Sequence, residues 1–115
     1  MYPRQVKFGV WHPIESAAAQ APDGPGVLQI RADDLLDYPR GKSAMVLYAH
    51  SASEGSLRVY LGGTGAADLG KAASAGARWI RFAETSEPED DFERLLDHFV
   101  ERFGAPPLAN GSLTV

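Results

Sequence analysis

A glycine-rich stretch in the middle of the chain comes close to a nucleotide-binding motif. Gly65 is followed after four residues by Gly70 and Lys71, which nearly matches the phosphate-binding pattern G-x-x-x-x-G-K-[ST]. In that pattern backbone amides and the lysine hold phosphates, and the Ser/Thr hydroxyl binds Mg²⁺. Here Ala72 stands at the hydroxyl position, and no strongly hydrophobic strand leads into Gly65. We therefore predict that these glycines mark a loop between two helical segments, and that the chain binds no nucleotide cofactor.

The other side chains that could do chemistry form no familiar catalytic group. The histidines are His12, His50 and His98, and no pair has the i, i+4 spacing of metal ligands on a helix. His50 follows a hydrophobic strand, but its neighbouring serines lie too close to form a triad, and a G-x-S-x-G elbow is absent. The carboxylates of residues 87–91 are more typical of a solvated helix N-terminus than of an acid–base pair.

Composition and charge limit the class of protein. A chain of 115 residues suits one domain, residues 1–115, and the lack of cysteine excludes disulfides and thiolate metal sites. We expect a cytoplasmic protein with no signal peptide and no membrane span, because no long apolar run occurs. The net charge of −4 argues against a simple nucleic-acid binder.

The charge is unevenly distributed along the chain. Residues 1–83 carry nine Lys and Arg against seven acids, whereas residues 84–115 carry two against eight. This asymmetry is consistent with one mildly basic face. The preferred interpretation is that acids gather at one helix N-terminus, where the helix dipole favours them.

Hydrophobic patterning predicts the elements that position these side chains. The predicted order is a short helix at 13–21, strands at 27–32 and 43–51, a helical segment at 68–76, a strand at 77–85 and a helix at 88–103. Residues 33–42 are predicted to be a polar connection, too long for a tight hairpin. Residues 57–61 are compatible with either strand or helix. The fold class is α+β, with a small three-stranded sheet flanked by helices.

The last helix has the clearest pattern. Its apolar residues recur at helical spacing, at Phe92, Leu95, Leu96, Phe99 and Phe103. Ser86 and Glu89 have the spacing of a capping box at its start. Gly104 and the prolines that follow predict its end.

Four short motifs follow one another along residues 25–110. They are Pro25-Gly26-Val27-Leu28, Val46-Leu47-Tyr48-Ala49-His50, Ser56-Leu57-Arg58-Val59-Tyr60-Leu61, and the stretch 103–110, which ends in P-x-x-N. Together with the β-β-α-β-α order, they resemble the GIY-YIG nuclease superfamily, whose signatures include P-G-[IV]-Y and [IV]-Y-[IV]-G. The resemblance implies a GIY-YIG-like core at 25–110 with an N-terminal helical extension at 1–24.

The chain departs from this family where catalysis would occur. In such nucleases a tyrosine helps to activate water, an arginine binds the scissile phosphate and a glutamate holds one divalent metal ion. Tyr48 matches the second signature tyrosine, but Leu28 replaces the first and His50 replaces a glycine. Tyr60 stands where the arginine belongs, and Arg58 lies two residues earlier, about 200° around a helix.

The metal-binding glutamate is also missing from its expected position. The inward positions of the last helix are Phe92 and Leu96, and Glu93 is one position away. The resemblance therefore implies a degenerate member that does not cleave. Our first hypothesis is a non-catalytic binding module, without a cofactor, for protein or nucleic acid. Its candidate binding residues are Arg31, Tyr48, Arg58, Tyr60 and Arg78, with Arg81 and Trp79 on the same predicted face.

Two alternatives stay open. In a divergent metal-dependent nuclease, Tyr48, His50 and Arg58 would be catalytic, and Glu84 or Glu93 would hold the divalent metal. In a protein-interaction domain, the chain would have no nucleic-acid role and could form a homodimer. The net charge of −4 favours this second alternative.

Overall fold

One antiparallel sheet organises the computed structural model, which describes residues 6–111. Within that range the strands are β1 (His12–Pro13), β2 (Gly26–Tyr38), β3 (Gly41–His50) and β4 (Ala77–Glu84), in the spatial order β1-β4-β2-β3. The helices are α1 (Ala17–Gln20), α2 (Leu57–Gly62), α3 (Gly65–Ser74), α4 (Pro88–Phe103) and α5 (Leu108–Gly111). The α+β class predicted from the sequence is confirmed.

The sheet has a fourth strand, which corrects the prediction of three. In β1, His12 pairs with Ile80 and Pro13 pairs with Trp79 of β4. Just before β1, the Gly9 amide donates to the Phe82 carbonyl at 2.9 Å, so the N-terminal segment follows the edge of β4. A two-residue strand that contains proline carries no alternating pattern, and hydrophobic periodicity therefore could not detect it.

The predicted polar connection between the first two long strands is largely strand. β2 continues to Tyr38 and β3 starts at Gly41, which leaves a two-residue turn and not a long loop. The register of β2 against β3 shifts between Arg31 and Leu36, where five steps along β2 oppose two steps along β3. This irregularity disrupts the period of two in the sequence, and the acidic residues there are exposed.

Strand alternation gives the sheet two faces with different coverings. The core face carries Leu28, Ile30, Ile80 and Phe82, which pack with buried residues of α1, α2 and α3. The opposite face carries Gln29, Arg31, Tyr48 and Arg81, because each of these alternates with a core residue along its strand. Helix α4 lies over β3 and β2 on this second face, where Phe99 contacts Tyr48. We call this second face the arginine face.

Helices α2 and α3 occupy the region in which the sequence left strand and helix open. Ser56 caps α2, since its hydroxyl oxygen accepts a hydrogen bond from the Val59 amide at 3.1 Å. Gly65, the first glycine of the phosphate-loop-like motif, opens helix α3 and lies against the Tyr60 ring. A helix and not a strand precedes the motif. The strand–loop–helix arrangement of a phosphate loop is therefore not formed.

Helix α4 has the predicted bounds, but its start is stabilised differently. Pro88 takes the first helical position, so Glu87 is the N-cap, and the predicted capping box with Ser86 does not form. The Thr85 hydroxyl instead donates to the buried carboxylate of Asp91 at 2.5 Å and accepts from the Glu87 amide at 3.2 Å. Gly104 ends the helix with a φ of 85°, as predicted.

No helix within residues 6–111 is both long enough and apolar enough to cross a membrane.

Candidate functional site

Two arginines and two tryptophans meet on the arginine face, beside the part that α4 covers. Arg31 lies on β2 opposite Trp79 of β4, and Arg81 lies two residues further along β4. Trp11 comes from the segment before β1. Its ring lies 4.7 Å from the Arg31 guanidinium carbon and 4.4 Å from that of Arg81, measured to the ring centroid. We name Trp11, Arg31, Trp79 and Arg81 the arginine–tryptophan cluster.

The two guanidinium groups have no carboxylate partner among residues 6–111. Arg81 Nε donates to Gln29 Oε1 at 2.7 Å, whereas Arg31 Nε is buried and has no hydrogen-bond partner within this range. Burial lowers the pKa of Arg81, and the nearby Arg31 charge lowers it further, while the Tyr48 phenol opposes the shift. Two like charges that share one ring without a counterion would be stabilised by a bound anion.

Aromatic surface surrounds these charges. The Phe8 ring centroid lies 4.7 Å from the Arg81 guanidinium carbon, and the Trp79 centroid lies 5.9 Å from that of Arg31. The Trp79 indole N–H donates to Asp33 Oδ1 at 2.5 Å, which places one exposed carboxylate at the rim. Phe8, Trp11 and Trp79 are all partly exposed. The cluster therefore offers both cationic donors and ring surface to a ligand.

A concavity separate from the cluster runs along the outer edge of β3. This cleft has a volume of about 300 Å³, and its lining includes Tyr48, His50, Glu54, Tyr60, Asp68 and Asn110. The Asn110 side chain occupies the edge of β3, because its Oδ1 accepts from the Tyr48 amide at 2.8 Å and its Nδ2 donates to the Tyr48 carbonyl at 2.9 Å. The Tyr60 hydroxyl donates to the Asp68 carboxylate. We call this concavity the β3 cleft.

Tyr48 is poorly suited to activate water. Its side chain is 7% exposed and its ring lies edge-on to Phe99, with the centroids 5.6 Å apart. Burial raises the pKa of Tyr48 to about 12, although the Arg81 charge lowers it in part. A phenol with that pKa is protonated near neutral pH, so it cannot accept a proton from water efficiently.

His50 lines the β3 cleft together with Tyr48, whereas Arg58, Glu84 and Glu93 do not line it. His50 is the last residue of β3, and its ring centroid lies 4.7 Å from that of Phe92. Arg58 is on α2, where its Nε donates to the Ala21 carbonyl at 3.2 Å. Glu84 and Glu93 are both exposed, and residues 6–111 contain no group of three side chains placed to hold a metal ion. The described residues therefore do not fit a metal site of three protein ligands.

The chain matches no family model, no curated protein and no solved structure. The interpretation of the site consequently depends on its own geometry.

The candidate binding residues divide between the two faces of the sheet. Arg31 lies in the arginine–tryptophan cluster. Tyr48 adjoins the cluster, because Gln29 and Arg81 both interact with its phenol and are hydrogen-bonded to each other. Arg58 and Tyr60 lie on α2 above the core face, and Arg78 is exposed with its Nη1 3.7 Å from Asp33 Oδ2. Sequence reasoning missed Trp11 as a site residue. The available signal was that Trp11 precedes His12 and Pro13 and lies outside any predicted element.

Proposed function

We propose that this protein is a non-catalytic binding module on a GIY-YIG-like scaffold, and that its ligand is nucleic acid. The order β2-β3-α2-α3-β4-α4-α5 is compatible with the β-β-α-β-α order of that superfamily. The observation that carries the proposal is the arginine–tryptophan cluster, in which two partly buried guanidinium groups lack a carboxylate partner within residues 6–111.

The separation of Tyr48 from Arg58, Glu84 and Glu93 supports a module that does not cleave its ligand. Tyr48 lies on the arginine face with a pKa of about 12, whereas Arg58 is on α2 above the core face and is bonded to Ala21. Arg58, Glu84 and Glu93 do not line the cleft that Tyr48 lines, so a phosphodiester bound there would lack these candidate groups. Loss of such positioned groups typically lowers a catalysed rate by orders of magnitude.

A native gel tests binding and cleavage together. Labelled single-stranded and duplex DNA would be incubated with the protein at low salt, with either Mn²⁺ or EDTA. We expect a mobility shift in both conditions and no shortened products. The matched control is Arg94→Gln, which removes an exposed charge on α4 that is not part of the cluster and should leave the shift unchanged.

Two results would overturn this proposal. Shortened products that appear only with Mn²⁺ would make the protein a divergent nuclease, and Tyr48→Phe would then be the first variant to assay. No shift with any nucleic acid at low salt would favour a protein-interaction domain, and analytical ultracentrifugation would then test for a homodimer.

A further inference from the structure

We propose that the arginine–tryptophan cluster binds the phosphate backbone of single-stranded nucleic acid, with a phosphate held between Arg31 and Arg81 and neighbouring bases stacked on exposed rings. This inference rests on the proposed function and names the site and the form of its ligand.

The cluster is built for an anion because its cations are held close together without compensation. Both guanidinium carbons lie within 5 Å of the centroid of one indole ring, that of Trp11. The rings and Gln29 pack against them, and among residues 6–111 the terminal Nη groups of the two arginines make no hydrogen bond. A planar guanidinium presents donors in a fork that matches phosphate geometry, and two such groups would share one phosphate.

The rings around the arginines favour a single strand over a duplex. Phe8, Trp11 and Trp79 are partly exposed, and an unpaired base has a free face that stacks on such rings. A duplex hides those faces and depends mainly on many phosphate contacts. Elsewhere in the chain acids predominate, since residues 84–115 carry eight acids and two arginines. Few phosphates of a duplex would therefore be neutralised.

Tryptophan fluorescence reports on this site directly. The chain has two tryptophans, Trp11 and Trp79, and both belong to the cluster. We would titrate the full chain with a short oligothymidylate at low salt and follow the emission. We expect saturable quenching, weaker binding to a duplex of the same length, and an affinity that falls with salt at a log–log slope of about −0.7 for each phosphate neutralised.

Variants localise the effect to the arginines. Arg31→Gln and Arg81→Gln should each weaken the oligothymidylate affinity about tenfold, as expected for the loss of a charge-assisted contact. Arg81→Lys keeps the charge but loses the fork, so its affinity should fall between those of the wild type and Arg81→Gln. The control Arg94→Gln should bind like the wild type. Circular dichroism melts would establish that each variant is folded. The salt and duplex titrations use the wild-type protein, so they test the inference even if a variant does not fold.

Several outcomes would overturn the inference. Equal quenching by polyglutamate would make the cluster a site for acidic protein segments. Tighter binding to duplex would contradict the stacking argument. A gel shift without tryptophan quenching, and unaffected by Arg31→Gln or Arg81→Gln, would place the ligand elsewhere and leave only the proposed function standing. Absence of both the shift and the quenching would remove both proposals, and the arginines would then serve to hold the N-terminal segment on the sheet.

Discussion

Burial decides what single tyrosine residues of this protein can do. The sequence identified Tyr48 and Tyr60 as candidate site residues by their position in short motifs. In the structure both are at least nine-tenths buried, and burial raises the pKa of each, with the hydroxyl bond to Asp68 adding to the effect at Tyr60. Tyr48 is enclosed by Phe99 and Asn110, which lie more than 50 residues away in the chain. Local sequence could not have indicated that enclosure.

The raised pKa of Tyr48 predicts a loss of stability in alkaline solution. The phenol has a pKa of about 12 in the folded protein and 10.0 as its ordinary value, so the folded state holds the proton more tightly. This stabilisation is complete below pH 10 and is lost as the pH rises from 10 towards 12. Between pH 9 and pH 11 we expect the free energy of unfolding to fall by about 1 kcal/mol through Tyr48 alone.

Urea unfolding at several pH values would measure this dependence. Tyr38 and Tyr60 also have raised pKa values and add to the wild-type slope, so the comparison is with Tyr48→Phe. The variant should lose less stability between pH 9 and pH 11 than the wild type. Equal losses in the two proteins would mean that Tyr48 ionises as it does in the unfolded chain.

At the level of elements, helix α3 shows why the glycine-rich motif is structural. A Cβ added at Gly65 would lie 2.5 Å from the Tyr60 ring and 2.7 Å from the Tyr60 carbonyl oxygen. At Gly70 a Cβ would meet no atom within 4 Å. The sequence motif was recognised from the spacing of these two glycines, but only one of them is required by packing.

These two glycines therefore predict opposite effects of the same substitution. Gly65→Ala should destabilise the protein by about 1–3 kcal/mol, because the backbone carbonyl of Tyr60 cannot move aside as a flexible side chain could. Gly70→Ala should stabilise it by about 0.5–1 kcal/mol, because alanine loses less backbone entropy in a helix. Chemical denaturation of both variants would measure the changes. A destabilised Gly70→Ala variant would contradict the open space found at this position.

For the whole molecule, the sheet order predicts where stability is concentrated. β2 is hydrogen-bonded to β3 on one side and β4 on the other, and both its faces are covered at Val27–Ile30. β1 contributes two residues at one edge. In hydrogen-exchange mass spectrometry we expect residues 27–30 to exchange slowest, near the global free energy of unfolding, and residues 9–13 to exchange by local opening.

Hydrogen exchange measured with and without oligothymidylate would show which residues the ligand protects. Ligand bound at the arginine–tryptophan cluster should slow exchange at residues 9–13, since the Trp11 ring contacts both arginines. Protection confined to helix α4 would instead locate the ligand on that helix and contradict the assignment of the site.

The sequence by itself determined the elements with strong periodicity. Helix α4, its glycine end, and the apolar strands near Leu28, Leu47 and Ile80 follow from local patterns of side-chain burial. Only the tertiary structure decided β1, the length of the β2–β3 hairpin and the meeting of Trp11, Arg31 and Arg81. β1 and the cluster depend on contacts between segments far apart in the chain. The hairpin is local, but its shifted register between Arg31 and Leu36 interrupts the alternating pattern that sequence reasoning relies on.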